Sequence, residues 1–277
     1  MNLQLLRLTD KEFEKFSILI FDKTGIHLKS EKKELLNARL GKRLRARQVN
    51  SYQQYYDIVM NDSSGSELVH LINSVSTNFT SFFREKAHFD FLTSDVLPKF
   101  VNSGGRNPRN LTVWSSACSS GEEPYTLAMV IDQFMRSSPG VSCSIMATDI
   151  STKVLGAAEK GVYPLERVEK MPKNFLHTYF QRGVGQCSGY VKVKPNIRDL
   201  VTFKRFNLMD QFPWQGEIDV IFCRNVMIYF NKETQDELVR KFYDCLSPGG
   251  FLFIGHSESL GNIKSKFKPA ATTVYQK

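Results

Sequence analysis

Along residues 1–76 apolar side chains recur at helical spacing, and proline is absent. Thr9 and Glu12 have capping-box spacing, and Phe13, Phe16, Ile20 and Phe21 give the following helix an apolar face that ends at Gly25. A second helix is predicted from near Ser30 through EKKELLNARLGKRLRARQ, with Leu36, Leu40 and Leu44 on one narrow stripe. Two more are predicted over 52–60 and 67–75, separated by the polar turn DSSGS. Phe89, Leu92, Val96 and Leu97 then make an amphipathic helix expected to stop at Pro98.

After the loop SGGRNPRN (103–110) the rhythm changes. Strands are predicted at 111–115, 144–149, 201–206, 218–223 and 251–255, with a last one near 272–275. Helices are predicted at 124–136, opened by Pro124, at 152–159, capped by Ser151, and at 172–180 and 232–246. Such alternation predicts an α/β chain with a parallel, doubly wound sheet. The expected division is a helical domain over 1–76 and a sheet domain over 77–277. Segment 183–200, with Tyr190, Val191 and Val193 alternating with lysines, predicts a small antiparallel β insertion.

Composition narrows the class. No run of eighteen apolar residues marks a transmembrane helix, and the first residues lack the apolar stretch of a signal peptide, so a cytoplasmic protein is expected. Five scattered cysteines read as reduced thiols, and five histidines without ligand spacing give no reason to expect a metal. The net charge of +9 is spread over both parts and favours acidic partners. Its densest portion is Arg39, Lys42, Arg43 and Arg45. Those four form either a solvated helix face or a docking surface for an acidic helix or nucleic acid.

The most informative stretch is VWSSACSSGEEPY (113–125), a strand, a tight loop and a helix start. It matches neither the dinucleotide nor the P-loop glycine pattern, and Glu122 and Glu123 stand at its tip. Carboxylates there would repel a pyrophosphate and suit a cationic, hydroxyl-rich cofactor such as S-adenosylmethionine. They could also simply complement the helix dipole. Ligands in open α/β sheets bind at the carboxyl ends of strands. The other strand ends offer Asp149, suited to ribose hydroxyls unless it merely caps a helix, and Asn207 and Leu208, suited to adenine. The fourth strand runs into Arg224, Asn225 and Tyr229, polar groups that cost burial and so point to a site, although Tyr229 could still be a core tyrosine.

The motifs TSFFRE (80–85), WSSACSSGEEPY (114–125), TDIS (148–151), FCRNVMIYF (222–230) and GHSES (255–259) together resemble the CheR-type chemotaxis-receptor methyltransferases. The resemblance implies a class I, Rossmann-like methyltransferase fold and a protein-glutamate O-methyltransferase. Its cofactor would be S-adenosyl-L-methionine and its product S-adenosyl-L-homocysteine. It further implies that Asn78, Thr80 and Arg84 close over the methionine end and that Glu122 or Glu123 contacts the cofactor. Asp149 would hold the ribose, Asn207 and Leu208 the adenine, and Arg224 and Asn225 the methionine part. Arg84 and Tyr229 would lie near the transferred methyl as catalytic residues. The implied partners are chemoreceptor cytoplasmic helices, docked on Arg39, Lys42, Arg43 and Arg45. A receptor tether peptide is implied at the insertion, where a Gly183-x-Gly185 turn is kept. The loop at 102–110 departs from the family in length.

A monomer that neither inserts in a membrane nor binds nucleic acid is expected. A glutamate nucleophile is already ionised at neutral pH, so no base is needed and none is expected among the histidines. Two rivals remain at this level. A nucleic-acid methyltransferase would share the cofactor fold, but the [ND]-P-P-[YFW] signature is absent where CRNVMIY stands. A non-catalytic cofactor-sensing module would bind the cofactor without transferring its methyl.

Overall fold

The computed structural model describes residues 6–102, 109–138, 140–261, 263 and 265–277. The expectation about the 102–110 loop falls almost wholly outside these residues. Helices α1 (Asp10–Thr24), α2 (Lys33–Arg47), α3 (Tyr52–Asn61) and α4 (Ser66–Val75) form the N-terminal bundle. Thr9 and Glu12 cap α1 reciprocally, and Gly25 closes it in the left-handed region at φ 71°. The α2 stripe of Leu36, Leu40 and Leu44 packs with Phe16, Ile20, Tyr55 and Leu71. Each such buried side chain contributes about 1.5–3 kcal/mol.

The helix expected to stop at Pro98 does not stop there. Segment α5 (Ala87–Phe91) passes through a π-turn (Leu92–Val96) into α6 (Leu97–Asn102). The Leu97 N–H reaches back to the Leu92 carbonyl, and this wider turn moves aside the carbonyl that a proline ring would strike.

The main sheet has the order β6-β2-β1-β7-β8-β10-β9. Strands β1 (Arg109–Ser115), β2 (Val141–Asp149), β6 (Val201–Arg205), β7 (Ile218–Cys223) and β8 (Leu246–Ile254) run parallel. The predicted last strand is two antiparallel ones, β9 (Lys268–Ala271) and β10 (Val274–Gln276), turning at Thr273 with φ 55°. Alternate side chains feed cores on opposite faces: Val113 and Phe222 one, Trp114 and Ile221 the other. Helices α7 (Glu122–Met135), α8 (Thr152–Lys160) and α11 (Lys232–Cys245) supply crossovers. The fold is thus a helical bundle followed by a Rossmann-like, doubly wound sheet.

A second, antiparallel sheet joins β3 (Val162–Pro164), β5 (Tyr190–Val193) and β4 (Phe180–Arg182). It draws strands from well before residue 183, because β3 and β4 are too short to show alternation in the sequence. Its predicted end instead forms the short helix α10 (Pro195–Arg198), with Pro195 in the first turn. Helix α9 (Lys173–Tyr179) lies between β3 and β4.

From β1 the chain winds outward through β2 to β6, then returns to β7 on the other side of β1. The order therefore reverses between β1 and β7, which is where an open sheet leaves a crevice.

Candidate functional site

The loop after β1 is folded back on the sheet. The Cys118 N–H reaches the Thr148 carbonyl at 2.8 Å, and the Ser116 N–H reaches the Phe222 carbonyl at 2.9 Å, tying the loop to β2 and β7. Gly121 has φ 97°, and a Cβ there would lie 2.8 Å from Tyr163 Oη and 2.9 Å from Ala158 Cβ. Only glycine fits, and α7 starts directly after it at Glu122, two residues before Pro124.

The two acids separate at this point. Glu122 turns away from the crevice, accepting from Ser120 Oγ at 2.7 Å and from Arg167 at 3.2 Å. Glu123 lines the crevice, with Oε1 on the Ser115 hydroxyl at 2.7 Å and Oε2 on Arg224 at 3.0 Å. Burial pushes both carboxyl groups up, against the opposing pull of Ser120 and Arg167 for Glu122 and of Arg224 for Glu123.

The crevice is a cavity of about 380 Å³, within the range of small-molecule sites. Asn78, Thr80, Arg84, Glu123, Asp149, Asn207, Leu208, Arg224, Asn225 and Tyr229 all line it. Of the predicted cofactor residues only Glu122 does not. The bundle closes part of the wall with Arg39, His27 and Leu35, so one histidine does lie at the site. It is held by its backbone, the His27 N–H donating to the Tyr229 carbonyl at 2.8 Å.

Asp149 is buried, and its carboxylate accepts the Ser119 N–H on Oδ2 and the Ser151 N–H on Oδ1, each at 2.9 Å. Burial raises its pKa against those bonds. With the Ile150 N–H also bonded to it, the carboxylate keeps acceptor capacity for a ligand hydroxyl. The Ser151 side chain caps nothing; its hydroxyl donates to Asn73 Oδ1 at 2.8 Å and so ties α4 to α8. The Asn207 amide donates to the Lys23 carbonyl at 2.8 Å and accepts the Met209 N–H at 3.1 Å. This leaves its free lone pair and second N–H for a ring edge. Leu208, Phe206 and Ile150 offer apolar contact.

Arg224 is the best-connected side chain of the site. Its guanidinium meets Glu85 at 2.9 Å, Glu123 at 3.0 Å and the Arg84 carbonyl, and lies over the rings of Phe89 and Phe222. Burial alone would raise the Glu85 pKa, but Arg224 and Asn225 hold it down at about 2. Asn225 adopts φ 57°, donating its N–H to Glu258 at 3.0 Å and its amide to Glu85 at 3.1 Å. Arg84 donates to the Phe79 carbonyl at 2.9 Å and lies over the Phe79 ring. Glu85 and Glu258 stand inside the motifs TSFFRE and GHSES without having drawn a role from the sequence. The signal was a buried-strand arginine, Arg224, that needed acidic partners.

The basic helix splits as well. Arg39 donates to the Val75 and Ser76 carbonyls and borders the cavity. Arg43 pairs with buried Glu67 at 2.7 Å, which also accepts from Tyr55 at 2.9 Å. Neither is therefore a free docking group, because each satisfies buried acceptors. Lys42 and Arg45 are exposed.

Among the described residues, Glu85, His88 and His256 also come together, although the two histidines are 168 positions apart in the sequence. No helix among the described residues is long and apolar enough to cross a membrane.

Residues 78–276 match the family model described as CheR methyltransferase, SAM binding domain, and residues 11–76 match CheR methyltransferase, all-alpha domain. A chemotaxis protein methyltransferase of Klebsiella aerogenes is 38% identical over 273 residues, covering 98% of this chain and 91% of the relative. One from Escherichia coli is 37% identical, covering 98% and 92%, and one from Borreliella burgdorferi is 36% identical, covering 96% and 95%.

Proposed function

The chain belongs to the CheR methyltransferase family, an S-adenosylmethionine-dependent enzyme family, and from that premise we propose that it methylates glutamate side chains on chemoreceptor cytoplasmic helices. The observation that carries the reading is the cavity at the β1/β7 reversal, where Glu123 and Asp149 present carboxylates with unused lone pairs.

The cavity fits this cofactor by its donor set. Glu123 suits an ammonium, Asp149 two ribose hydroxyls, and Leu208 with Asn207 a purine face and edge. When bound, S-adenosylmethionine supplies an electrophilic methyl on a sulfonium. The protein's task is then orientation and exclusion of water. Arg84 and Tyr229, both partly exposed on the cavity wall, are assigned to orient the incoming carboxylate. That carboxylate, with an ordinary pKa near ~4.3, attacks without losing a proton. Histidine is not required as a base, and His27 serves through its backbone.

Lys42 and Arg45 are assigned to receptor docking, and the three-stranded sheet to a receptor tether. A Cβ on Gly183 would lie 2.1 Å from the Cys187 carbonyl oxygen, so that glycine is needed to close the sheet's turn. A monomer working in the cytoplasm completes the reading. The test is incubation with methyl-tritiated S-adenosylmethionine and a chemoreceptor cytoplasmic fragment. Base-labile label on the fragment supports a glutamyl ester. Alkali-stable label, or label on RNA, overturns the reading, and cofactor binding without transfer would indicate a sensing module.

A further inference from the structure

Glu85, His88 and His256 converge beside Arg224, each offering one ligand atom within 4.8 Å of the others. They come from the turn before α5, from α5 itself and from the loop after β8. His88 is 1% exposed. The Thr273 hydroxyl has a single proton, which it donates to the Thr272 carbonyl at 2.7 Å. With that proton so placed, Thr273 accepts from His88 Nε2, 2.8 Å away, and the Thr272 carbonyl bonds to the same ring. Nε2 carries the ring proton of the neutral imidazole, and Nδ1 presents a bare lone pair.

That Nδ1 has no hydrogen-bond partner among the described residues. It faces Glu85 Oε2 at 3.5 Å, an oxygen that Arg224 already holds, so the unpartnered acceptor of the pair is Nδ1. A cation shared by the two would give Nδ1 the partner it lacks. Two ligands bonded to one tetrahedral zinc at ~2.0–2.1 Å lie about 3.4 Å apart, close to this spacing. In metal-binding histidines one ring nitrogen donates its N–H to a neighbouring oxygen and the other stays free for the metal, as Nε2 and Nδ1 do here. The backbone is strained to present Glu85: it has φ 56°, and Phe83 has φ 54°, both in the left-handed region.

We propose that Glu85, His88 and His256 form a binding site for a divalent transition metal of the zinc class, open to solvent beside exposed His256. Two imidazoles and one carboxylate suit zinc and its neighbours in preference to magnesium or calcium. The cation competes with Arg224, which donates two N–H groups to Glu85 Oε2 at 2.9 and 3.3 Å. Arg224 also holds Glu123 on the cofactor cavity. Metal occupancy therefore loosens Arg224 and opposes cofactor binding, and by linkage the cofactor opposes the metal. This coupling rests on the cavity being the cofactor site; the metal affinity does not.

The experiment is a Zn²⁺ titration of the full chain against a chromophoric chelator, in a Cys187→Ser background because that exposed thiol could bind zinc alone. One equivalent is expected to bind. His256→Ala, a surface change, is expected to weaken it more than about tenfold, and Thr273→Val, which frees the His88 tautomer, by about tenfold. Co²⁺ in place of Zn²⁺ is expected to give visible absorption that the His256→Ala variant lacks. Zinc affinity equal in the parent and in His256→Ala overturns the site. Zinc affinity unchanged by saturating S-adenosyl-L-homocysteine overturns the coupling.

Discussion

Arg224 and Glu85 lie 2.9 Å apart, joining the carboxyl end of β7 to the turn that leads into α5. The arginine side chain is 2% exposed and also holds Glu123. Replacing it leaves two carboxylates facing each other with their common cation removed. Arg224→Met is expected to cost about 3–5 kcal/mol of stability, the range for breaking a buried ion pair. Arg224→Lys should recover little, since an ammonium cannot span both acids and the Arg84 carbonyl from one planar group. Urea denaturation of the three proteins checks this. Parent-like stability in the methionine variant would sink it.

Glu122 and Glu123 are neighbours with different tasks. Glu123→Gln is expected to weaken S-adenosyl-L-homocysteine binding by roughly tenfold or more, because a charge-assisted contact of about 1.5–3 kcal/mol is lost. Glu122→Gln should leave the affinity within about threefold of the parent, since that side chain faces Arg167 and Ser120. Calorimetric titration separates them, and a larger loss in the Glu122 variant would reverse the assignment.

The same pair shows what the sequence could and could not reveal. Periodicity exposed the bundle stripe of Leu36, Leu40 and Leu44 and the buried strands, since side chains alternate or recur at fixed spacing. Strand ends then singled out Asp149, Asn207 and Arg224, because polar groups there cost burial. Direction was not legible: one residue along a helix turns a side chain by about 100°, and that sends Glu122 and Glu123 to different neighbours. Nor were long-range partners. Arg224 meets Glu85, and Arg43 meets Glu67, only once the chain is folded. Pro98 misled because a π-turn has no composition of its own.

Tyr229 lines the cavity and is assigned to the incoming carboxylate. Tyr229→Phe is expected to lower turnover, by up to ~10²-fold if the carboxylate is misplaced. Cofactor affinity should change less than about twofold, since Asp149 and Glu123 remain in place. Single-turnover methylation with saturating cofactor measures the first, and calorimetry the second. Unchanged turnover would remove Tyr229 from the mechanism.

Asp62 opens the turn before α4, accepting from the Ser64 hydroxyl at 2.6 Å and the Glu67 N–H at 2.7 Å. The Ser64 hydroxyl, followed by the Glu67 N–H, lowers its pKa from 3.8 to about 2. Its folded value is below its unfolded one, so its contribution is fully present above pH 3.8 and is lost as pH falls through about 2. Asp62→Ala should therefore be less stable than the parent at pH 7, with the gap narrowing below pH 3.8. A gap that widens in acid would contradict this.

On α2, Lys42 and Arg45 are exposed while Arg43 is bonded to buried Glu67, so reversing charge at these positions should have different consequences. Lys42→Glu with Arg45→Glu is expected to weaken methylation of an acidic receptor helix severalfold at low ionic strength. The deficit should shrink as salt screens both proteins. Cofactor affinity and unfolding midpoint should stay at parental values. Arg43→Glu should instead unfold the bundle more easily, by about 3–5 kcal/mol, because it leaves Glu67 and a second carboxylate buried together. Methylation kinetics across a salt series, paired with denaturation, separate docking from stability. If the Lys42/Arg45 double variant loses stability to the same extent as Arg43→Glu, the helix serves the bundle and the receptor docks elsewhere.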